Sequence, residues 1–112
     1  MKIENAKAQM RKGVLELCIL ALLQEGPAYV SDLMQKLKES RIIVVEGTLY
    51  PLLTRLKNAG VLTYKWEESK SGPPRKYYEL TQDGQNSLRE LQTSWEELVE
   101  SVDKTLKSAN HE

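Results

Sequence analysis

Six apolar residues near the C-terminus constrain this chain more than any other feature. Leu88, Leu91, Trp95, Leu98, Val102 and Leu106 follow one another at intervals of 3, 4, 3, 4 and 4. That spacing puts them on one face of an α-helix and comes close to a coiled-coil seam. The helix runs about 25 residues, or roughly 37 Å at 1.5 Å per residue. The chain has 112 residues, enough for one domain with a modest core. So small a body cannot cover so long an apolar face. The distal half, from Trp95 onward, therefore needs a partner elsewhere, most simply on a second copy. Thr81 stands before the helix as an N-cap candidate, and Asp83 in the first turn suits its positive end.

The body that precedes this helix is also mainly helical. From Asn5 to Gln24, Met10, Val14, Leu17, Cys18, Ala21 and Leu22 form a stripe, and Leu15, Ile19, Leu20 and Leu23 widen it. An apolar surface that wide predicts a central helix buried by several neighbours. Gly26-Pro27 ends it. Tyr29 to Lys38 reads as a second helix on Val30, Leu33, Met34 and Leu37, with Ser31 or a residue just before it as cap. Ile42 to Val45 is β-branched and fits either a short strand or an extended link.

A third, shorter helix occupies Val45 to Gly60. Leu49, Leu52, Leu53 and Leu56 share a face at i, i+3, i+4 and i+7, and Gly60 follows where a helix end needs positive φ. Pro51 predicts that regular geometry starts near it, with Glu46 to Tyr50 in a tighter or distorted first turn. Two helices on a short link, the second with an exposed polar face, form a helix-turn-helix. Leu62, Tyr64 and Trp66 then alternate with Thr63, Lys65 and Glu67, as a strand does. Ser69 to Pro74 reads as a loop, and Arg75 to Leu80 as the returning strand. Such a hairpin after a helix-turn-helix is a wing. The fold class is mainly α with a small β-hairpin: a winged helix-turn-helix over residues 1–80 and a dimerisation helix over 81–112.

Net charge is zero, yet it is unevenly spread. Residues 1–78 hold 13 Lys and Arg against 8 Asp and Glu, and residues 79–112 hold 3 against 8. A body at +5 can meet phosphates, while a tail at −5 would stand away from them. No apolar run reaches the roughly 18 residues that span a bilayer. Met1-Lys2-Ile3-Glu4 does not open a signal peptide, so a cytoplasmic protein is expected. Cys18 lies in an apolar stretch and reads as an inert core thiol. One Cys and one His, the latter at a frayed end, argue against a metal site. No catalytic set is present, and neither an enzyme nor a cofactor is expected.

Double-stranded DNA is the partner this pattern predicts, with a palindromic operator read by a two-fold dimer. Thr48, Leu49 and Tyr50 near the start of the third helix are the candidate contacts, with Arg55 further along it. The blander reading makes Thr48 a helix cap, packs Tyr50 on the body and leaves Arg55 on a solvated face. Lys36 and the wing residues Lys70, Arg75 and Lys76 are candidate phosphate contacts. A different class remains open: a winged-helix module that binds protein and never touches DNA.

The chain resembles the PadR-like family of transcriptional regulators. The resemblance rests on Gly47-Thr48-Leu49-Tyr50-Pro51-Leu52-Leu53 with Arg55-Leu56 and Gly60, then Arg75-Lys76-Tyr77-Tyr78 with Leu80-Thr81 and Gly84. It implies a bacterial winged-helix repressor. The single C-terminal helix is similar to the smaller subfamily, which dimerises through it, here by Leu91, Trp95, Leu98, Val102 and Leu106. Some members of that subfamily hold planar aromatic effectors between paired tryptophans. The resemblance therefore makes Trp95 a candidate ligand contact; the alternative is that it only packs the dimer.

Overall fold

A computed structural model describes residues 1–110; His111, expected at a frayed end, lies outside them. The order is α1 (Ile3–Gln24), α2 (Val30–Glu39), α3 (Glu46–Asn58), β1 (Leu62–Ser69), β2 (Gly72–Leu80) and α4 (Gln82–Ala109). Leu20, Leu33, Leu37, Leu49, Leu53 and Leu88 are all but sealed from solvent and tie the four helices into one core. Each contributes about 1.5–3 kcal/mol relative to an exposed side chain.

On α1 the two apolar sets exchange roles. Leu15, Ile19, Leu20 and Leu23 are buried, while Met10 is 74% exposed and Val14, Leu17 and Cys18 are half-buried. α2, β2 and α4 all pack against α1, yet they leave its Met10 side open to solvent, so α1 is not wrapped by neighbours. Burial pushes the Cys18 thiol up, which keeps it protonated and unreactive near neutral pH.

The start of α2 is capped from inside the helix rather than by Ser31. Asp32 reaches back, and its Oδ2 accepts the Tyr29 N–H at 3.0 Å. The helix ends in a Schellman motif: the Ile42 N–H donates to the Leu37 carbonyl at 2.8 Å and the Arg41 N–H to the Lys38 carbonyl at 2.9 Å. Arg41 sits at φ 65°, a position that costs an L-residue about 1 kcal/mol. Ile42 to Val45 is an extended link, not a strand.

Pro51 does not set the start of α3. The helix begins at Glu46 and runs through the proline. The hydrogen bond it forfeits belongs to the carbonyl of Gly47, an exposed residue, so water satisfies that acceptor and the helix continues. At the far end Gly60 takes φ 82° and closes a second Schellman motif.

The hairpin turns on Lys70 and Ser71 alone, so the loop expected over Ser69 to Pro74 is mostly strand. The register pairs Ser69 with Gly72 but Glu67 with Arg75, which inserts one extra residue at Pro73-Pro74. Proline cannot donate to a ladder, and a bulge on an edge strand is where a sheet tolerates it. Ala28 pairs with Tyr78 through two backbone hydrogen bonds, of 2.9 and 2.8 Å, and anchors the hairpin base to the α1–α2 link.

Thr81 caps α4 as expected, its Oγ1 accepting the Gly84 N–H at 3.0 Å. The same hydroxyl donates to the Gly60 carbonyl at 2.7 Å, and the Thr81 N–H donates to the Val61 carbonyl at 3.1 Å. A Cβ on Gly84 would stand 2.1 Å from that Val61 oxygen. The end of α3 and the start of α4 are thus one joint. Beyond Leu91 every described residue of α4 is exposed, and the molecule extends 62 Å along its longest axis.

Candidate nucleic-acid interface

The leucine face of α3 is spent on the core, which fixes what the helix shows. Gly47, Pro51, Thr54 and Asn58 recur at helical spacing and are all exposed. This slim, uncharged stripe points away from the body. Tyr50, 46% exposed, and Lys57 flank it on the side of the hairpin. Thr48 and Arg55 lie on the opposite flank, toward α1: Thr48 borders a groove with Arg11 and Lys12, and Arg55 is ion-paired with Glu16.

Between Tyr50 and the hairpin lies a groove of about 330 Å³. Tyr29, Ser31, Trp66, Arg75 and Lys76 line it, with Glu46 as its one acid among the described residues. Its cations are held by aromatic faces. The Arg75 guanidinium lies 4.0 Å from the Tyr29 ring centre. Lys76 Nζ sits 4.5 Å from the Tyr64 ring and 5.5 Å from Trp66. Lys57 Nζ lies 5.8 Å from the Tyr64 ring centre. Each contact is worth about 0.5–1 kcal/mol at an exposed site. Together they order three long side chains before any ligand arrives, so less entropy is lost when an anion binds. The register explains Lys76, whose cross-strand partner is Trp66; Arg75 instead finds its ring on Tyr29, in the α1–α2 link.

The structure sorts the sequence candidates. Tyr50, Arg75 and Lys76 come together at the groove, and Lys70 is exposed on the hairpin turn. Leu49 leaves the set: it is fully buried, because i, i+4, i+7 spacing makes it one core position with Leu53 and Leu56. Arg55 is already engaged by Glu16. Thr48 does not cap α3, whose N-cap position is Val45. Lys36 is half-buried in the last turn of α2, where with Lys38 it complements the negative helix end. The geometry adds Thr54, Asn58, Tyr29 and Trp66 to the candidates. The first two were legible from the same helical spacing that marked the leucines. Trp66 shares the apolar alternation of β1 with Leu62 and Tyr64, yet it is 62% exposed because the hairpin outruns the body.

The second open surface is apolar. Trp95 is 42% exposed, Leu98 54%, Val102 47% and Leu106 55%. Leu91 differs, being half-buried against its own core. Trp95 and Leu98 border a cleft of about 150 Å³ whose other wall is Gly13, Val14 and Leu17 of α1. Among the described residues no helix is long and apolar enough to cross a membrane, and no cluster of three His, Cys, Asp or Glu is poised for a metal ion.

A helix-turn-helix with an ordered basic wing is a nucleic-acid-binding architecture. The pattern of the transcriptional regulator PadR-like family matches residues 19–90, and the chain belongs to that family. It is similar to a PadR-like transcription factor from Bacteroides fragilis, at 63% identity with 90% of this chain and 98% of the other covered and a TM-score of 0.76. A PadR family regulator from Eggerthella lenta is 36% identical over 93% of this chain and 91% of its own, with a TM-score of 0.86. A PadR-like regulator from Bacillus cereus is 37% identical over 88% and 96%, with a TM-score of 0.76. These relatives are transcriptional regulators, not enzymes.

Proposed function

We propose that the chain is a homodimeric repressor that reads a palindromic operator. The observation that carries this reading is the groove in which Tyr50 of α3 faces Arg75 and Lys76 of the wing. The outward stripe of α3 enters the major groove, where Thr54 and Asn58 offer hydrogen-bonding groups to base edges. Tyr50, Arg75, Lys76 and Lys70 take the flanking phosphates, which position the helix without reading sequence. The α4 seam of Trp95, Leu98, Val102 and Leu106 pairs with its copy and separates two reading helices by about 34–36 Å, one turn of B-DNA. A planar aromatic effector seated between the two Trp95 rings shifts the population of DNA-competent dimers.

The test is fluorescence anisotropy on DNA from upstream of the chain's own gene, across a salt series. Wild-type binding is expected to weaken steeply with salt. Arg75→Gln with Lys76→Gln lowers the log–log slope by about 2, one for each lost phosphate contact. Tyr50→Ala weakens binding on every sequence. If no sequence-selective binding is seen at low salt, and a partner protein is bound with the wing neutralised, the chain is instead a protein-interaction module.

A further inference from the structure

The Arg55–Glu16 pair joins two regions that the reading above treats separately. Arg55 belongs to the reading helix and Glu16 to α1. The pair lies in a second groove, of about 420 Å³, floored by Leu20, Leu56 and Leu91. Glu16, Leu91 and Ser94 also border the Trp95 cleft, so the two cavities share one wall, on which Glu16 is the charged residue. Glu16 thus stands between the reading helix and the aromatic site. Among the described residues lining one cavity or the other, Arg55 is the only base, and Glu16 and Glu90 are the acids; Arg55 and Glu90 line the larger groove alone. Glu96 and Glu97 follow Trp95 directly. Arg11 and Lys12 precede Gly13 on the other wall, but among the described residues the one charged side chain lining the cleft itself is Glu16, which favours a positive guest.

We propose that Glu16 is contested between Arg55 and an aromatic cation bound at Trp95, so that the ligand loosens the reading helix by taking its anchor. The proposal rests on Trp95 being the effector site and names both the effector's charge and the route to DNA. The aromatic body lies on Trp95, and its cationic head reaches Glu16. Arg55 then loses the one ion pair that ties its side chain to α1. Since Arg55 and the guest compete for one carboxylate, the coupling is reciprocal: what weakens the pair strengthens the guest. The pair is part-exposed, with the Arg55 side chain 68% accessible and Glu16 37%, so the coupling is modest.

The probes are naphthylmethylammonium and its neutral analogue naphthylmethanol. Binding is read from Trp95 emission in a Trp66→Phe background, and operator affinity separately in protein that keeps Trp66. Wild-type protein is expected to prefer the cation, and Glu16→Gln to lose that preference. Arg55→Gln is the decisive variant. It removes the competitor and should tighten the cation about two- to fivefold, the range of a part-exposed ion pair. A residue that only supported the fold would loosen it. The cation should weaken DNA binding by wild-type protein and leave that of Arg55→Gln unchanged. Should Glu16→Gln fail to fold, Glu16→Asp serves: it keeps the charge, and with it the preference for the cation. If folded Arg55→Gln binds the cation no more tightly than wild type, the exchange is overturned. If the cation preference and its tightening are seen but no variant binds DNA, the exchange stands and the repressor reading fails.

Discussion

The two halves of α4 share one spacing of apolar residues and have opposite fates. In the proximal half Leu88 is 2% exposed, and Gly84 presses its backbone against the Val61 carbonyl. In the distal half Trp95, Leu98, Val102 and Leu106 continue the same seam into open solvent. Nothing in the helix itself marks the change. The body simply ends. An apolar stripe therefore specifies that something must cover it, and not whether the cover is this chain or another.

That comparison can be broken by substitution. The largest effect is expected at Leu88. Leu88→Ala should cost about 2–5 kcal/mol in urea unfolding, since it empties a sealed core site. Leu106→Ala in dilute protein should stay within about 0.5 kcal/mol of wild type. Equal losses at both positions would show that the distal seam is covered within one chain. Leu98→Asp comes next. In the proposed dimer it sets a carboxylate into the seam twice by symmetry, and should weaken association at least about tenfold in sedimentation equilibrium with the helical circular dichroism intact. A dimer of unchanged affinity would mean that the copies meet elsewhere.

Gly84→Ala sharpens the comparison at the hinge between the halves. The added methyl collides with backbone, which cannot rotate away, and about 1–3 kcal/mol should be lost. Because the same joint holds the end of α3, DNA affinity should fall further than stability alone explains. The smallest effect concerns the body. Arg41→Gly relieves an L-residue at φ 65° and should raise stability by about 0.5–1 kcal/mol, read as a shift in the urea midpoint.

Much of this molecule was legible beforehand because its signals are local. The four helices, the hairpin, the Thr81 cap and the positive φ at Gly60 all follow from side chains within a turn of one another. The failures share a cause. Leu49 stands between the candidates Thr48 and Tyr50, but neighbours in sequence face different ways on a helix, and it is buried. Pro51 was given the start of α3 because a missing N–H suits a first turn; an exposed carbonyl one turn back made its place inside the helix tolerable. The spacing on α1 marks an apolar stripe, but which side of α1 the body covers depends on how the other elements pack.

The sequence by itself determined which elements form, where they stop, that the body is basic and the tail acidic, and that the last helix carries more apolar surface than the body can cover. These are properties of short windows or of simple counts. The tertiary structure decided the rest. It stacked Arg75 on Tyr29 and Lys76 on Tyr64, set Trp66 outside, bound Arg55 to Glu16 and divided α4 into a buried and an open half. Each of these joins residues tens of positions apart. Their geometry depends on the angles at which whole elements pack, which spacing along the chain does not encode.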